Sequence, residues 1–137
     1  TETDSPQRTL PMAKKILLVD DEVGFTELLS MNLEKSGAFE VKIENDSTRA
    51  VLTAKHFRPD AIILDVVMPG MDGGDVQAAM QNDPELASIP ILMLTALVDS
   101  TELSEGAVAQ AGSQMVLPKP VNLALLLRVL DELLETT

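Results

Sequence analysis

The sequence predicts a three-layer α/β domain, in which helices cover both faces of a parallel β-sheet. Two observations lead to this class. Apolar runs of strand length alternate along the chain with segments whose apolar residues have helical spacing. The strand segments are also continuous apolar runs, which is typical of strands that are buried on both faces. At 137 residues, the chain has the length of one ordinary domain.

The first half of the chain contains three predicted strands and two predicted helices. Gly37 is expected to end the first helix, and Asp46 or Ser47 is expected to begin the second, because glycine favours helix ends and small polar residues cap helix starts. In chain order, these segments are the strand KKILLVD, the helix EVGFTELLSMNLEKSG, the strand FEVKIE, the helix through RAVLTAKHF and the strand AIILD.

The second half continues the alternation with two more strands and three more helices. Pro84 is expected to stop the third helix, and the fourth is predicted to begin between Asp99 and Glu105 and to end near Gly112. These segments are the loop MPGMDGG, the helix DVQAAMQND, the strand IPILMLT, the fourth helix, the strand SQMVLP and the helix NLALLLRVLDELL. Five strands and five helices therefore predict a doubly wound parallel sheet.

Composition excludes several classes of protein. The net charge of -12 repels phosphate backbones, and the absence of Trp and Tyr leaves few rings for base stacking, so direct nucleic-acid binding is not expected. No apolar run approaches the about 20 residues that a membrane span needs. The absence of cysteine excludes disulfides and thiolate metal sites. Residues 1–13 are expected to be a disordered lead or a cloning remnant, and residues 14–137 the folded domain.

Polar residues stand at the carboxyl end of most predicted strands. In open parallel sheets, this edge carries the ligand site. Each residue alone has an ordinary explanation, such as helix capping by an Asp, but together they bring three carboxylates, a hydroxyl and an ammonium to one edge. Clustered carboxylates need a compensating charge, and Mg²⁺ prefers hard oxygen ligands. The residues are Asp20 and Asp21, Asp65, Thr95 and Lys119.

The motifs LLVDDE, LDVVMPGMDG, the Thr after ILML, and LPKP resemble the receiver domain of response regulators over roughly residues 14–134. The resemblance implies the flavodoxin-like strand order 2-1-3-4-5. It also implies that a sensor histidine kinase or phosphotransfer protein phosphorylates Asp65, with Thr95 and Lys119 assisting and a downstream effector reading the change. Mg²⁺ is implied as the cofactor, with ligation by Asp20 through water, by Asp21 and Asp65, and by the Val67 carbonyl. Pro120 resembles the family's cis proline.

The resemblance further implies a cytoplasmic signalling switch, which catalyses only its own phosphorylation and dephosphorylation and is not an enzyme acting on other molecules. An alternative is a receiver-like docking module that is never phosphorylated. The intact set of acids, Thr and Lys argues against this alternative.

Three features depart from the family pattern or exceed what the fold needs. Val116 occupies a position where many receivers carry an aromatic ring, so we expect a readout through the loop after Thr95. Val67 and Leu97 are both apolar and cannot orient an attacking water, which predicts slow self-dephosphorylation. The last helix has more leucines than one buried stripe hides, which predicts either a contact with a partner or a second copy of the chain, or ordinary surface leucines.

Overall fold

The computed structural model describes residues 13–95, 109–111, 114–119 and 121–135. Within these ranges, strands and helices alternate along the chain as the sequence predicts. The elements are β1 (Lys14–Val19), α1 (Val23–Glu34), β2 (Phe39–Glu44), a 3₁₀ turn (Ser47–Arg49), α2 (Ala50–Phe57), β3 (Ala61–Asp65), α3 (Gly73–Gln81), β4 (Ile91–Thr95), β5 (Ala109–Ala111), β6 (Gln114–Pro118) and α4 (Leu123–Glu135).

The sheet has six strands in the order β2-β1-β3-β4-β6-β5. Five of them, β1 to β4 and β6, pair in parallel, and their spatial order confirms the predicted order 2-1-3-4-5. The sixth strand, β5, pairs with β6 in the antiparallel direction. The carboxyl ends of the five parallel strands therefore lie along one edge of the sheet.

The prediction that the fourth helix reaches Gly112 is wrong for Ala109–Ala111, which form strand β5. Alanine favours helices, but the pairing of Ala109 with Val116 and of Ala111 with Gln114 overrides this local preference. The remainder of the predicted helix, including Asp99 and Glu105, lies outside the described residues. Four α-helices fall within the ranges that the structure describes.

The core is divided by the sheet into two apolar clusters. Ile16 and Leu18 on β1 face α1 and α4, whereas Leu17 and Val19 face α2 and α3. All four of these side chains are fully buried. Since successive strand residues point to opposite faces, burial of all four shows that helices cover both faces of the sheet. This arrangement is the predicted doubly wound, three-layer architecture.

Local sequence signals set the helix boundaries. The Asp46 side chain accepts a hydrogen bond from the Thr48 N–H and caps the turn before α2. Asp72 and Asp75 form a capping box at the start of α3, so this helix begins at Gly73, inside the segment MPGMDGG that the sequence predicts as a loop. Helix α1 ends at Glu34, shortly before Gly37, which has a positive φ of 80°.

The leucines of α4 are less exposed than the sequence pattern suggests. Leu126, Val129 and Leu130 are buried. The remaining leucines of this helix pack partly buried against the same core cluster, namely Leu123, Leu125, Leu127, Leu133 and Leu134. Across the described ranges, no helix combines the length and the apolar character that crossing a bilayer requires.

Candidate functional site

The carboxyl ends of four neighbouring parallel strands bring the predicted site residues to one corner of the sheet. Asp20 directly follows β1, Asp65 ends β3, Thr95 ends β4 and Lys119 directly follows β6. Asp20 is fully buried, and Asp65 and Thr95 are only 5% and 3% exposed. The order of the strands, and not proximity in the sequence, therefore assembles this group.

Three carboxylates form the centre of the site. Asp20, Asp21 and Asp65 each offer a carboxylate oxygen, and these oxygens all lie within 4.8 Å of one another. Asp20 and Asp65 are buried and Asp21 is exposed, so this group brings up to three negative charges together at the border of the buried space, which is unfavourable without a compensating cation. Carboxylate oxygens are also the ligands that Mg²⁺ and Ca²⁺ prefer. The residues present therefore fit a hard divalent cation.

Lys119 supplies a positive charge beside the carboxylates. Its Nζ lies 3.0 Å from Asp20 Oδ2, 2.5 Å from Glu22 Oε1 and 3.7 Å from Asp65 Oδ2. The ring centroid of Phe25 lies 4.5 Å from the same nitrogen, within the range of a cation–π contact. The backbone N–H of Lys119 donates to the Thr95 carbonyl at 3.0 Å, which fixes the start of this side chain relative to β4.

The environment shifts the pKa values of two of these groups. Burial raises the pKa of the Asp65 carboxyl, and the nearby charge of Asp20 raises it further, whereas Lys119 and a backbone hydrogen bond from Val67 lower it less. Burial alone would lower the pKa of Lys119, but hydrogen bonds to Glu22 and Asp20 more than offset this effect and raise it. Ionised Asp65 is thus poorly compensated, and Lys119 remains an ammonium.

The loop between Asp65 and α3 is held by contacts to neighbouring elements. The buried Ser47 hydroxyl donates to the Pro69 carbonyl at 3.1 Å and accepts from the Met71 N–H at 3.2 Å. At the other end of the loop, the Gly73 N–H donates to the Val66 carbonyl at 2.7 Å. The loop that follows Asp65 is therefore fixed from two sides.

Sequence reasoning did not identify Asn45, which lies one residue after β2. Its side-chain amide donates to the Asp20 carbonyl at 2.7 Å and to the Thr26 hydroxyl at 3.0 Å. The Thr26 hydroxyl is buried and donates to the Val23 carbonyl. Asn45 therefore ties the turn that carries Asp20 to the first turn of α1. Its position at a strand end was the available sequence signal.

Other predicted residues have varied positions. Val67 is 53% exposed, and Val116 is partly buried against the core cluster on the side of α2 and α3. Leu97 and Pro120 lie outside the described residues, so the predictions made for them remain predictions. Glu22, which contacts Lys119, was not among the predicted site residues.

A protein-family model matches most of the chain. The family model described as the response regulator receiver domain matches residues 16–131. The chain is 34% identical over 113 residues to the DNA-binding response regulator MtrA of Mycobacterium tuberculosis, a match that covers 82% of this chain and 48% of MtrA. The chain thus spans about half the length of such curated relatives.

Solved structures with the same architecture include two receiver proteins. The signal receiver domain of a signal transduction histidine kinase from Syntrophus aciditrophicus has a TM-score of 0.74 and 31% identity, with coverage of 91% of this chain and 92% of that one. The chemotaxis response regulator CheY4 of Vibrio cholerae has a TM-score of 0.72 and 32% identity, with coverage of 88% and 98%. Both similarities extend over most of each chain.

Proposed function

The chain belongs to the receiver domain family of response regulators, and from this premise we propose that it accepts a phosphoryl group on Asp65 in a reaction that requires Mg²⁺. One observation carries the proposal. Three carboxylates from two strand ends lie within 4.8 Å of one another, and an ammonium from a third strand lies 3.7 Å from one of them, Asp65. This group combines a nucleophile, the ligands of a cation and a fixed positive charge.

The acidic residues would hold the metal ion in this proposal. Asp21 and Asp65 would be direct ligands together with the Val67 carbonyl, and Asp20 would hold metal-bound water. Bound Mg²⁺ neutralises clustered carboxylates and stabilises negative charge on transferring phosphoryl oxygens. The short β3–α3 loop carries both Val67 and the contacts made by Ser47, which supports a fixed position for the Val67 backbone.

The proposed step is a phosphoryl transfer from phosphohistidine. An oxygen of Asp65 attacks the phosphorus and forms a P–O bond, while the P–N bond breaks and its electron pair stays on the imidazole. The product is an acyl phosphate on Asp65. The Lys119 ammonium donates to a transferring oxygen, which a short movement of its Nζ from a position 3.7 Å from Asp65 Oδ2 would allow. The hydroxyl of Thr95, at the end of β4, donates to another phosphoryl oxygen and carries the change to the segment after it.

The partners follow from this chemistry as further proposals. A sensor histidine kinase or phosphotransfer protein supplies the phosphoryl group, and an effector protein or domain reads the result in the cytoplasm. The net charge of -12 of the whole chain favours an output in which this chain does not contact nucleic acid directly. The leucines of α4 are only partly buried, and their exposed surface would form the contact of a homodimer through this helix. The chain acts on itself and not on other molecules.

The proposal is tested by following protein mass during incubation with acetyl phosphate, with Mg²⁺ or with EDTA. We expect one added phosphoryl group in Mg²⁺ only, and none in Asp65→Asn. Asp131→Asn is the matched control, because it makes the same change on an exposed carboxylate of α4. A mass gain without Mg²⁺, or in Asp65→Asn, would contradict the proposal. No gain in the wild-type protein would favour the docking-module alternative.

A further inference from the structure

Lys119 is held more closely by Glu22 than by the proposed phosphoacceptor. Its Nζ lies 2.5 Å from Glu22 Oε1 and 3.7 Å from Asp65 Oδ2. An ammonium has three N–H donors, and hydrogen bonds between ionised groups are about twice as strong as neutral ones. Two of these donors face Asp20 and Glu22, at distances at which both bonds are formed. The third donor is left for Asp65, but Asp65 Oδ2 at 3.7 Å lies beyond hydrogen-bond distance. A shift of Nζ toward a phosphoryl oxygen on Asp65 therefore competes with the bonds to Asp20 and Glu22.

The Glu22 side chain has no second structural task among the described contacts. Glu22 occupies the N-cap position of α1, yet its side chain makes no capping hydrogen bond. It is also not a member of the cluster formed by Asp20, Asp21 and Asp65. Its side-chain contact with Lys119 is therefore not explained by helix capping or by that cluster.

The backbone of Glu22 is fixed while its side chain borders solvent. The Glu22 N–H donates to Asp20 Oδ1 at 3.0 Å, and the Glu22 carbonyl accepts from the Thr26 N–H at 3.0 Å. The side chain of Glu22 is 61% exposed, whereas that of Lys119 is only 12% exposed. An exposed carboxylate is readily rehydrated when it leaves an ion pair, so this bond is the easier of the two to break.

We propose that Glu22 is a latch on Lys119, which holds the ammonium away from Asp65 in the unphosphorylated protein and releases it when a phosphoryl group arrives. This inference rests on the proposed function of Asp65. Glu22 is a positioning residue here, because it acts through Lys119 and not on the reacting atoms. The latch slows phosphorylation, because its hydrogen bond must break before Lys119 assists the transfer.

The test compares Glu22→Gln with Glu27→Gln. The second variant removes the same charge from an exposed glutamate on the same helix. The first readout needs neither metal nor phosphate: reductive methylation of Lys119 in EDTA, followed by peptide mass spectrometry. We expect Glu22→Gln to label severalfold faster than wild type, and Glu27→Gln to label at the wild-type rate.

The second readout is the rate of phosphorylation by acetyl phosphate at saturating Mg²⁺. We expect a rise of about threefold to tenfold in Glu22→Gln, since a neutral hydrogen bond replaces a charge-assisted one. Unchanged labelling together with an unchanged rate would overturn the latch, and so would a slower rate. A fall of tenfold or more in the Mg²⁺ affinity of Glu22→Gln, without such a fall in Glu27→Gln, would also overturn the latch, because it would show that Glu22 is a metal ligand.

The two proposals fail in different ways. If the wild-type protein takes up no phosphoryl group, the proposed function fails, while the labelling of Lys119 in EDTA still reports whether Glu22 holds it. If the wild-type protein is phosphorylated normally and Glu22→Gln behaves like Glu27→Gln in both readouts, only the latch fails.

Discussion

Replacing Gly73 with alanine tests how tightly helix α3 packs against the strand that ends in Asp65. A Cβ atom at Gly73 would lie 2.5 Å from the Asp65 carbonyl oxygen and 2.7 Å from the Val66 Cα. Both are backbone atoms, which cannot rotate away as a side chain can. The backbone must therefore shift, and the 2.7 Å hydrogen bond from the Gly73 N–H to the Val66 carbonyl weakens with it.

The expected loss of stability follows from three contributions. Overpacking costs about 1–3 kcal/mol, and weakening one hydrogen bond costs about 1 kcal/mol. Alanine regains up to about 1 kcal/mol of helix propensity relative to glycine. The free energy of unfolding of Gly73→Ala should thus fall by about 2 kcal/mol, which for a domain of this size lowers the melting temperature by roughly 8 °C. Urea unfolding in EDTA measures this difference.

Gly74→Ala is the matched control for this substitution. A Cβ at Gly74 meets nothing closer than Asp72 Oδ1 at 3.4 Å, so the helix gains propensity without a backbone collision. We expect this variant to equal or exceed the wild type by up to about 1 kcal/mol. Equal stability of the two alanine variants would refute the argument that contact with the backbone of β3 demands glycine at position 73.

Three further predictions concern the loop after Asp65 and the outer surface. Ser47→Ala should lower the free energy of unfolding by about 1–3 kcal/mol, because both hydrogen bonds of its buried hydroxyl, to the Pro69 carbonyl and from the Met71 N–H, are lost; chemical unfolding checks this, and an unchanged midpoint would contradict it. The hydrogen bond from Lys55 at 2.9 Å lowers the pKa of Asp83, and the same bond raises the pKa of Lys55. The stabilisation of the folded state by ionised Asp83 is therefore present above the unfolded pKa of this residue and is lost as the pH falls through its folded pKa. The stabilisation by charged Lys55 is lost as the pH rises through the raised pKa of that residue. Lys55→Met should have a lower melting temperature than the wild type at neutral pH, and this difference should disappear in acid. Thermal melts at several pH values measure it, and a difference that does not depend on pH would contradict the prediction. Val67→Asn should speed hydrolysis of the phosphorylated protein, because an amide can orient water; an unchanged decay rate would remove the lifetime argument.

The sequence was sufficient to predict the parallel sheet and the residues gathered at its corner. Buried parallel strands give continuous apolar runs, and their carboxyl ends meet because of the strand order, so Asp65 and Lys119 could be grouped without coordinates. Asp46 was also identifiable as one of two helix starts, because a small acidic residue before a helical pattern is a local signal. Such features depend on periodicity and on neighbours along the chain.

The features that the sequence did not predict depend on contacts between distant segments. Strand β5 contains two alanines, whose helical preference points the wrong way, and only pairing with β6 makes it a strand. Asn45 and Ser47 are short polar residues of the kind that commonly line turns, and their hydrogen bonds reach 25 and 22 residues along the chain. Neither bond leaves a periodic pattern, so the partners Asp20 and Pro69 could not be inferred beforehand, although the position of Asn45 directly after a strand was a signal.

Strand β5 has a consequence for where the sheet is open to other chains. By pairing with β6, it moves β6 from the edge of the sheet to its interior, so β1, β3, β4 and β6 each have a neighbour on both sides. The proposed reacting groups all come from the ends of these four strands. The two borders, β2 and β5, are where fraying, strand exchange or pairing with a foreign strand would begin. Loss of pairing at β2 or β5 therefore begins in a strand that carries none of the proposed reacting groups.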